Sequence, residues 1–445
     1  MQLSVNNILK ISSLVQLGNW SVQSLLDSQL NYSKKYELAR VGEFLIKNRA
    51  LIEIDDNTVY TRVTVRMNNN GVTIRDTEIG KKIGTKKQFI VKPGQFIISK
   101  IDARNGAFGL IPPELNGAVV TNDFPVFDIN EEKIHPHFLL LITTTEGFLK
   151  FVQSSSSGST NRQRMDITLF LNQKIPLPSI TEQQIILSRY YQKMEGAEKI
   201  KNDISALESG IENYFLDTLG VIKTTSKDVK SGLKFYNFMD LDRWDIWSIK
   251  TNTHTKIHPI LSLGKLITGK PTYGANVKGK KVISETRYIR ITDINEDGSL
   301  NDEFVSPESV DEKYILNDND FLIARSGNTV GKTFLYKKEL GRAIYAGYLI
   351  KFTINQSKII PEYLLEFTKS YTFKQWIAAN QRISAQPNIN GQEYLQAPVI
   401  VPPLYVQQEI VDTISKKRFE IKILQSKAEL LVAEAKKDFE TEIFN

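Results

Sequence analysis

A short segment that occurs twice in the chain, which we call the proline–Gln-Gln cassette, constrains the fold more than any other feature. Residues 175–186 read Ile-Pro-Leu-Pro and continue into Glu-Gln-Gln-Ile-Ile, and residues 400–411 read Ile-Val-Pro-Pro and continue into Gln-Gln-Glu-Ile-Val. The same offset of 225 residues aligns residues 96–98 with 321–323 and residues 136–140 with 361–365. Such collinear similarity predicts one structural unit written twice, each copy a globular part followed by a helix.

The helix of the second copy shows apolar residues at alternating steps of three and four. These positions are Ile410, Ile414, Lys417 (through its alkyl stem), Ile421, Leu424, Ala428, Leu431 and Ala435. This spacing is typical of a coiled-coil seam, which needs a partner helix. A less regular seam follows Thr181, which with Gln184 fits an N-terminal capping box. Gly220 is a plausible residue to end that helix.

These patterns predict an α/β (α+β) protein with two related globular domains and two long helices that pair as an antiparallel coiled coil with pseudo-two-fold symmetry. The expected boundaries are 1–180 for the first globular domain, 181–219 for the central helix, 220–403 for a linker and the second domain, and 404–445 for the C-terminal helix. Strand patterns include residues 59–65, and residues 288–294 are expected to match the strand of residues 60–67. Residues 268–282 are expected to form a loop, and residues 137–152 a helix.

The composition narrows the class of function. The 445 residues carry a net charge of +7 with a pI near 9.1, which favours a polyanionic partner. The absence of cysteine excludes thiol catalysis and cysteine-ligated zinc. No apolar run reaches membrane-spanning length, and residues 1–10 lack the features of a secretory signal. We therefore expect an intracellular, cytoplasmic protein with no membrane association.

Basic residues cluster in both copies, interleaved with glycine, asparagine and tyrosine. Because lysine and arginine neutralise phosphates while arginine and asparagine read base edges, these residues are the candidate DNA contacts. In the first copy they are Lys81, Lys82, Lys86, Lys87, Lys100, Arg104 and Asn105; in the second they are Lys270, Tyr273, Lys278, Lys280, Lys281, Arg290, Arg325, Asn328 and Lys332. The alternative interpretation, ordinary solvated loops of a basic surface, remains open from charge alone.

A helix of about forty residues, such as the one expected over residues 404–445, is about 60 Å long, which is close to the length of roughly sixteen base pairs of duplex. Two reading domains on successive major grooves along one face of DNA lie about 34 Å apart. The predicted dimensions therefore suit a protein that spaces two DNA-reading domains, and they suit a plain scaffold equally well.

The sequence resembles the specificity (S) subunits of Type I restriction–modification systems. The resemblance covers essentially the whole chain and depends on the Leu-Asp-Arg-Trp-Asp run at 241–245, the Leu-Gly-Lys-Leu-Ile-Thr-Gly run at 263–269, the Ser-Gly-Asn-Thr-Val-Gly-Lys loop at 326–332, and the two proline–Gln-Gln cassettes. The first cassette departs from the family pattern at Leu177, and Trp20 lacks the flanking Arg and Asp. The resemblance implies that each domain reads one half of a split site in double-stranded DNA.

The resemblance also implies that the helices set the spacing and dock two modification (methyltransferase) subunits, which restriction or translocase subunits join. The S subunit itself is then not catalytic. It needs no cofactor of its own, and S-adenosylmethionine, ATP and Mg²⁺ belong to the partner subunits.

Other kinds of chemistry find weaker support in the residues. The run from Gly327 to Thr333 resembles a phosphate-binding loop, but it has three rather than four residues between its glycines. The four histidines are His135, His137, His254 and His258, and their spacing does not fit a metal site. A self-contained nuclease or NTPase, which would turn over substrate alone, and a coiled-coil scaffold, which would tolerate charge reversal at the lysines, are the alternatives.

Overall fold

The computed structural model describes residues 32–154, 156–157, 164–221, 255, 257–280, 284–381 and 387–444. Trp20, the run at 241–245 and Lys281 therefore lie outside the described residues. The chain divides into two compact units, which we call unit 1 (residues 1–200 and 426–445) and unit 2 (residues 201–425).

The helices include two that are far longer than the rest. They are α1 (Pro136–Thr144), α2 (Glu146–Ser154), α3 (Ile167–Asn172), α4 (Ile180–Thr218), α5 (Pro361–Lys369), α6 (Tyr371–Asn380), α7 (Gly391–Tyr394) and α8 (Leu404–Phe444). The expected helix over 137–152 is in fact the pair α1 and α2, which are separated at Thr145.

The strands of unit 1 form two main sheets. They are β1 (Leu38–Arg40), β2 (Leu45–Lys47), β3 (Leu51–Glu53), β4 (Val59–Val65), β5 (Val72–Ile79), β6 (Lys87–Ile90), β7 (Phe96–Ile98), β8 (Phe108–Leu110), β9 (Val119–Val120), β10 (Val126–Ile129), β11 (Ser156–Ser157), β12 (Arg164–Met165) and β13 (Lys174–Pro176). One sheet has the order β2-β10-β7-β8 and the other the order β3-β6-β9-β4-β5, while β1 pairs with β13 and β11 with β12.

The strands of unit 2 form one main sheet and several pairs. They are β14 (Ile260–Ser262), β15 (Ile267–Tyr273), β16 (Gly279–Lys280), β17 (Arg287–Ile289), β18 (Ser306–Pro307), β19 (Asp320–Ala324), β20 (Thr333–Leu335), β21 (Ala343–Tyr345), β22 (Leu349–Ile354) and β23 (Pro398–Ile400). The sheet has the order β15-β22-β19-β20, and the pairs are β14 with β23, β16 with β18, and β17 with β21 in parallel.

The four-stranded sheets and the helices after them confirm the internal repeat. β8 and β20, like α1 and α5, begin 225 residues apart, and each sheet has the same antiparallel order. The cassettes themselves are 224 residues apart. Ile175 of β13 pairs with Ala39 of β1, and the equivalent pair in unit 2 is Val399 of β23 with Leu261 of β14. The alignment of residue 175 with residue 400 was therefore wrong by one position, since the second copy is one residue shorter between α6 and α7.

One buried glutamine in each unit fixes this corrected register. The Gln183 side chain accepts from the His135 N–H (2.8 Å) and donates to the carbonyls of Lys133 (3.1 Å) and Pro178 (2.8 Å). Gln407, in the other unit, makes the same three kinds of bond to Ile360, Lys358 and Pro402. Both glutamines are fully buried. Each long helix is thus attached to its globular unit by one amide that satisfies three backbone groups.

The start of α4 differs from the prediction. The helix begins at Ile180. The Ser179 hydroxyl accepts from the Glu182 N–H at 3.4 Å, and the Glu182 carboxylate accepts from the Ser179 N–H (3.0 Å) and from the Ser179 hydroxyl (2.7 Å). The capping box is therefore Ser179 with Glu182 rather than Thr181 with Gln184. At the other end, Gly220 has a φ of +65°, which confirms it as the left-handed residue beyond the helix.

Segments of the two long helices pack together within each unit. In unit 1, Tyr190 lies against Phe439 and the Lys193 ammonium binds Glu434 (3.0 Å) and Asp438 (2.8 Å). Gly196 lies opposite Leu431. Residues later in α4 therefore face residues earlier in α8, so the two helices are antiparallel here. In unit 2 the Tyr214 hydroxyl reaches Thr413 at 3.4 Å. The predicted seam of α8 is buried or half-buried along its length.

Two strand predictions for unit 2 were wrong. Residues 288–294 do not repeat the strand of residues 60–67, because β17 pairs in parallel with β21 whereas β4 forms an antiparallel hairpin with β5. Residues 268–282 are not one loop, since β15 extends to Tyr273 and β16 follows. In the described part of the chain, no helix is both long and apolar enough to span a membrane.

Candidate nucleic-acid interface

The first candidate surface is the hairpin formed by β4 and β5 in unit 1. Asn68 and Asn69 turn the chain with φ angles of 57° and 58°, a conformation that asparagine tolerates better than most residues. The tip is held from below, because the Asn68 N–H donates to the Asn105 carbonyl (2.7 Å) and the Asn69 N–H to that of Gly106 (3.0 Å). Val63, Val65 and Val72 of the hairpin are buried in the core.

Residues of this hairpin also line two neighbouring clefts, which we call the unit 1 clefts. The larger, of about 590 Å³, is lined by Val63, Thr64, Val65, Arg66, Met67, Asn68, Asn70, Ile74, Arg75, Asp102 and Phe124. The smaller, of about 220 Å³, adds Arg62, Gln88 and Thr121. Arginine, asparagine and exposed apolar side chains together offer both hydrogen bonds and contacts to base edges.

The arginines of the unit 1 clefts are oriented differently. Arg62 makes a two-point contact with Asp76, with bonds of 2.6 and 2.9 Å, and this guanidinium lowers the pKa of the Asp76 carboxyl. The Arg66 Nε donates to the Thr73 hydroxyl at 3.0 Å, which directs an exposed guanidinium along the hairpin. Arg66 therefore presents its remaining donors outward, whereas Arg62 is largely occupied within the protein.

None of the residues predicted for unit 1 is among those that line the unit 1 clefts. Lys81 and Lys82 are exposed on a short 3-10 helix after β5, and Lys82 pairs with Glu78 at 3.6 Å. Lys87 is exposed on β6, and Asn105 lies under the hairpin tip, with Arg104 beside it. Lys86 binds Asp56 (2.5 Å) and the Gly80 carbonyl (2.7 Å), so its charge is used internally. Lys100 is half-buried, and desolvation lowers its pKa.

The second candidate surface is a cleft of about 650 Å³ in unit 2, which we call the unit 2 cleft. Its lining residues are Gly274, Ala275, Asn276, Val277, Gly279, Tyr288, Arg290, Ile291, Thr292, Arg325, Ala346, Gly347 and Tyr348. A Cβ added to Gly274 would lie 2.3 Å from the Tyr345 carbonyl oxygen, so only glycine permits this packing. Four small residues, which we call the floor of the cleft, are part of this lining and let a ligand approach closely: Gly274, Ala275, Ala346 and Gly347.

Two arginines line the unit 2 cleft, and they differ in their partners: Arg290 binds carboxylates, whereas Arg325 lies over tyrosine rings. Arg290 binds the fully buried Asp293 through Nη2 (2.6 Å) and Nε (3.1 Å), and it also reaches Glu303 at 3.1 Å. These bonds, with Asp293 first, raise the pKa of the Arg290 guanidinium. Arg325 instead lies over the ring of Tyr273, 5.1 Å from its centroid, and 5.9 Å from that of Tyr348.

The other predicted residues of unit 2 that the structure describes are not among those that line this cleft. Lys270, Lys278 and Lys280 are exposed on or beside β15 and β16, and Lys280 is 3.7 Å from Glu308. Asn328 is exposed on a 3-10 turn that follows Arg325. Lys332 binds Glu296 (3.0 Å) and the Ile294 carbonyl, so the loop that resembles a phosphate-binding motif has its lysine engaged within the protein.

Sequence reasoning missed Arg62, Arg66 and Arg75 in unit 1 and Tyr348 in unit 2. The alternation of Arg62, Thr64 and Arg66 with buried valines along β4 was the available signal, since it predicts a polar outer face. Tyr348 carried no local signal. Within the described residues no cluster of three or more histidines and carboxylates is arranged to hold a metal ion.

A family model described as the Type I restriction modification DNA specificity domain matches residues 32–206 and 262–431. The two matches cover most of the chain and coincide with its two copies. The chain belongs to this family. Its internal repeat is therefore a repeat of the DNA specificity domain.

Known proteins agree with this assignment. The chain is 24% identical over 208 residues to the specificity subunit of the Type I restriction enzyme HindI from Haemophilus influenzae, a match that covers 45% of this chain and 42% of that protein. The chain thus spans less than half the length of this relative. A solved structure from work on complex assembly of the type I R-M system matches 92% of this chain and 97% of its own, with 14% identity and a TM-score of 0.57, and so shares the fold.

Proposed function

We propose that this chain is the specificity subunit of a Type I restriction–modification complex, in which each unit reads one half of a bipartite target in double-stranded DNA. The observation that carries the proposal is the contrast between the repeated scaffold and its two different clefts. Unit 1 offers arginines on a hairpin, and unit 2 offers arginines in a glycine-floored cleft. Two related domains with different contact residues suit two different half-sites.

The different locations of the lysines and the arginines support this proposal. Lys81, Lys87, Lys270 and Lys278 are exposed and are not part of the cleft linings, so they suit phosphates, which carry no sequence information. Arg66 and Arg325, inside the clefts, suit base edges. A two-stranded β-ribbon is also one of the elements that the major groove admits, which fits the β4–β5 hairpin.

The partners in this proposal are two modification subunits, with restriction or translocase subunits added to them. Phe419 and Ile423, one helical turn apart on α8, leave 68% and 54% of their surface exposed. Exposed apolar side chains on neighbouring positions of one helix face favour a protein partner. The chain itself is proposed to be non-catalytic and cytoplasmic, with S-adenosylmethionine, ATP and Mg²⁺ held by the partner subunits, and the long helices to set the spacer.

The test is a genome-wide map of methylated sites in cells that express the chain with a modification subunit of the same system. We expect a split motif with a fixed spacer. The double variant Arg66→Ala with Arg75→Ala should relax one half of that motif only, while Arg49→Ala, an exposed arginine outside the unit 1 clefts, should leave it intact. Methylation that follows a single continuous motif, or none at all, would contradict the proposal.

Docking is tested separately by co-purification. Phe419→Glu with Ile423→Glu should abolish recovery of the modification subunit without unfolding the chain, because both side chains are exposed. Leu340→Glu, which changes an exposed apolar residue of unit 2 outside the long helices (45% exposed), is the matched control and should leave recovery unchanged. Equal recovery with the double variant would exclude this face of α8 as the docking site.

A further inference from the structure

Of the two arginines that line the unit 2 cleft, Arg325 differs from Arg290 because its guanidinium has no anionic partner among the described residues. Its Nε is buried and has no hydrogen-bond partner among the described residues, and no carboxylate in that part of the chain pairs with it. Arg290 and Lys332, by contrast, bind Asp293 and Glu296. A guanidinium left with free donors inside a cleft is costly unless a ligand supplies acceptors.

The orientation of Arg325 is nevertheless fixed by its surroundings. Tyr273 and Tyr348 hold the guanidinium through their ring faces, and the Tyr273 hydroxyl is itself fixed because it accepts from the Gly391 N–H at 3.0 Å. The Arg325 backbone is bonded on both sides, to the Tyr348 carbonyl and the Ile389 N–H, each at 3.0 Å. The donor fork is therefore oriented before any ligand arrives, which reduces the entropy lost on binding.

The location of this fork favours a base edge over a phosphate. Arg325 is half-buried in the cleft, whereas Lys278 and Lys280 are exposed beside it and are better placed for the DNA backbone. The small residues of the floor, Gly274, Ala275, Ala346 and Gly347, leave room for the edge of a base pair. The base that presents two acceptors to one arginine in the major groove is guanine, through O6 and N7.

We infer that Arg325, held between Tyr273 and Tyr348, determines the specificity of unit 2 by donating two hydrogen bonds to O6 and N7 of one guanine in its half-site. This inference rests on the proposed function, since it assigns one base contact within the proposed target. Its consequence is that unit 2 requires guanine at one position, and that this requirement depends on the planar fork and not on positive charge alone.

The experiment begins with methylation maps of the full complex for the wild type, Arg325→Ala, Arg325→Lys, and the double variant Lys278→Ala with Lys280→Ala. We expect both Arg325 variants to become degenerate at one guanine of one half-site, with about tenfold or greater loss of discrimination, while the other half stays intact. Lysine does not rescue the arginine because it lacks the fork. The double lysine variant should reduce methylation at all sites without changing the motif.

A binding measurement with duplexes that contain the mapped motif distinguishes a contact from a loss of folding. Replacing the identified guanine by 7-deazaguanine removes N7, and this change should weaken binding of the wild-type complex but not that of the Arg325→Ala complex. A split motif that stays unchanged in the Arg325 variants, or equal sensitivity of both complexes to 7-deazaguanine, would overturn the inference and leave the proposed function standing. A wild type without a split motif would overturn both.

Discussion

Unit 1 and unit 2 share a framework but differ in the surfaces that it carries. The framework contacts repeat almost atom for atom, since Gln183 and Gln407 make the same three kinds of backbone contact and Gly42 and Gly264 pack against the carbonyls of Leu171 and Leu395. The clefts do not repeat: unit 1 has a five-stranded sheet with a long hairpin, while unit 2 has short strands around a glycine floor.

This difference indicates where a duplicated domain can change. Contacts that attach the globular part to the long helix involve buried polar groups, and any substitution there leaves a donor or acceptor unsatisfied. The cleft residues lie on exposed strand faces and turns, where replacement costs little stability. The shared contacts should therefore respond alike in the two units, and the clefts should respond differently.

The largest expected difference in stability is at matched core aromatics. Phe170 of unit 1 packs among Phe96, Phe108 and Phe148, and its counterpart in unit 2, Tyr394, donates a hydrogen bond to the Ala324 carbonyl at 2.9 Å. Phe170→Ala should lower the free energy of unfolding by about 3–5 kcal/mol. Tyr394→Phe should cost only about 1 kcal/mol, because it removes one hydrogen bond while the Ala324 carbonyl keeps the bond from the Gly331 N–H at 3.0 Å. Urea denaturation measures both, and a neutral Phe170→Ala would exclude the packing described.

The glutamine contacts should respond equally in the two units. Gln183→Leu and Gln407→Leu should each lower the free energy of unfolding by about 3 kcal/mol, since three backbone groups lose their partner. The neighbouring Gln184 and Gln408 are exposed, so their leucine variants are the matched controls and should change it by less than about 0.5 kcal/mol. A large asymmetry between Gln183 and Gln407 would show that the two attachments are not equivalent.

Two neighbouring lysines of unit 1, Lys86 and Lys87, should contribute differently to the salt dependence of DNA binding. Lys87 has no ion pair among the described residues, and Lys87→Gln should reduce the slope of log K against log salt by about 0.9 if Lys87 contacts one phosphate. Lys86→Gln should leave that slope unchanged, because Lys86 is held by Asp56 and Gly80. The measurement is a salt titration of DNA binding, and the reverse order of effects would place the DNA elsewhere.

The smallest expected effect is a pH dependence confined to unit 1. His137 contacts the Tyr191 hydroxyl at 2.8 Å, and desolvation, with a smaller contribution from His135, lowers its pKa. The unfolded chain then binds more protons than the folded one, so stability falls as the pH drops below about 6.5. His137→Gln should flatten that decline in denaturation series between about pH 7.5 and about pH 5.5. An unchanged slope would exclude His137 as its source.

The sequence predicted the parts of the fold that repeat. The seam of α8 and the left-handed Gly220 beyond the end of α4 were predictable because helix periodicity and a helix-ending glycine are local signals. The sheet was predictable as a repeated element because its sequence pattern recurs. The cassette register was wrong by one residue, because a register is set by pairing partners such as Ala39 and Leu261, which lie far away in sequence. The capping box was displaced because both Ser179 and Thr181 fit its pattern.

The site was less predictable than the fold for a physical reason. Charge counts cannot tell an external lysine from one that binds a carboxylate across the fold, as Lys86 does with Asp56 and Lys332 with Glu296. The hairpin arginines were missed because clusters of lysine in the following segment carried the stronger local signal. Arg325 was identified as a candidate, but its position between two tyrosines depends on strand pairing that no local pattern encodes.

Exchange of residues 41–170 for the corresponding segment of another specificity subunit tests most directly whether the two units read independently. Methylated sites would be mapped for the exchanged chain and for the wild type, each with the same modification subunit. We predict that one half of the split motif changes completely while the other half and the spacer length are retained. A change in both halves, or in neither, would contradict the central claim that each copy of the repeated domain reads its own half of the target.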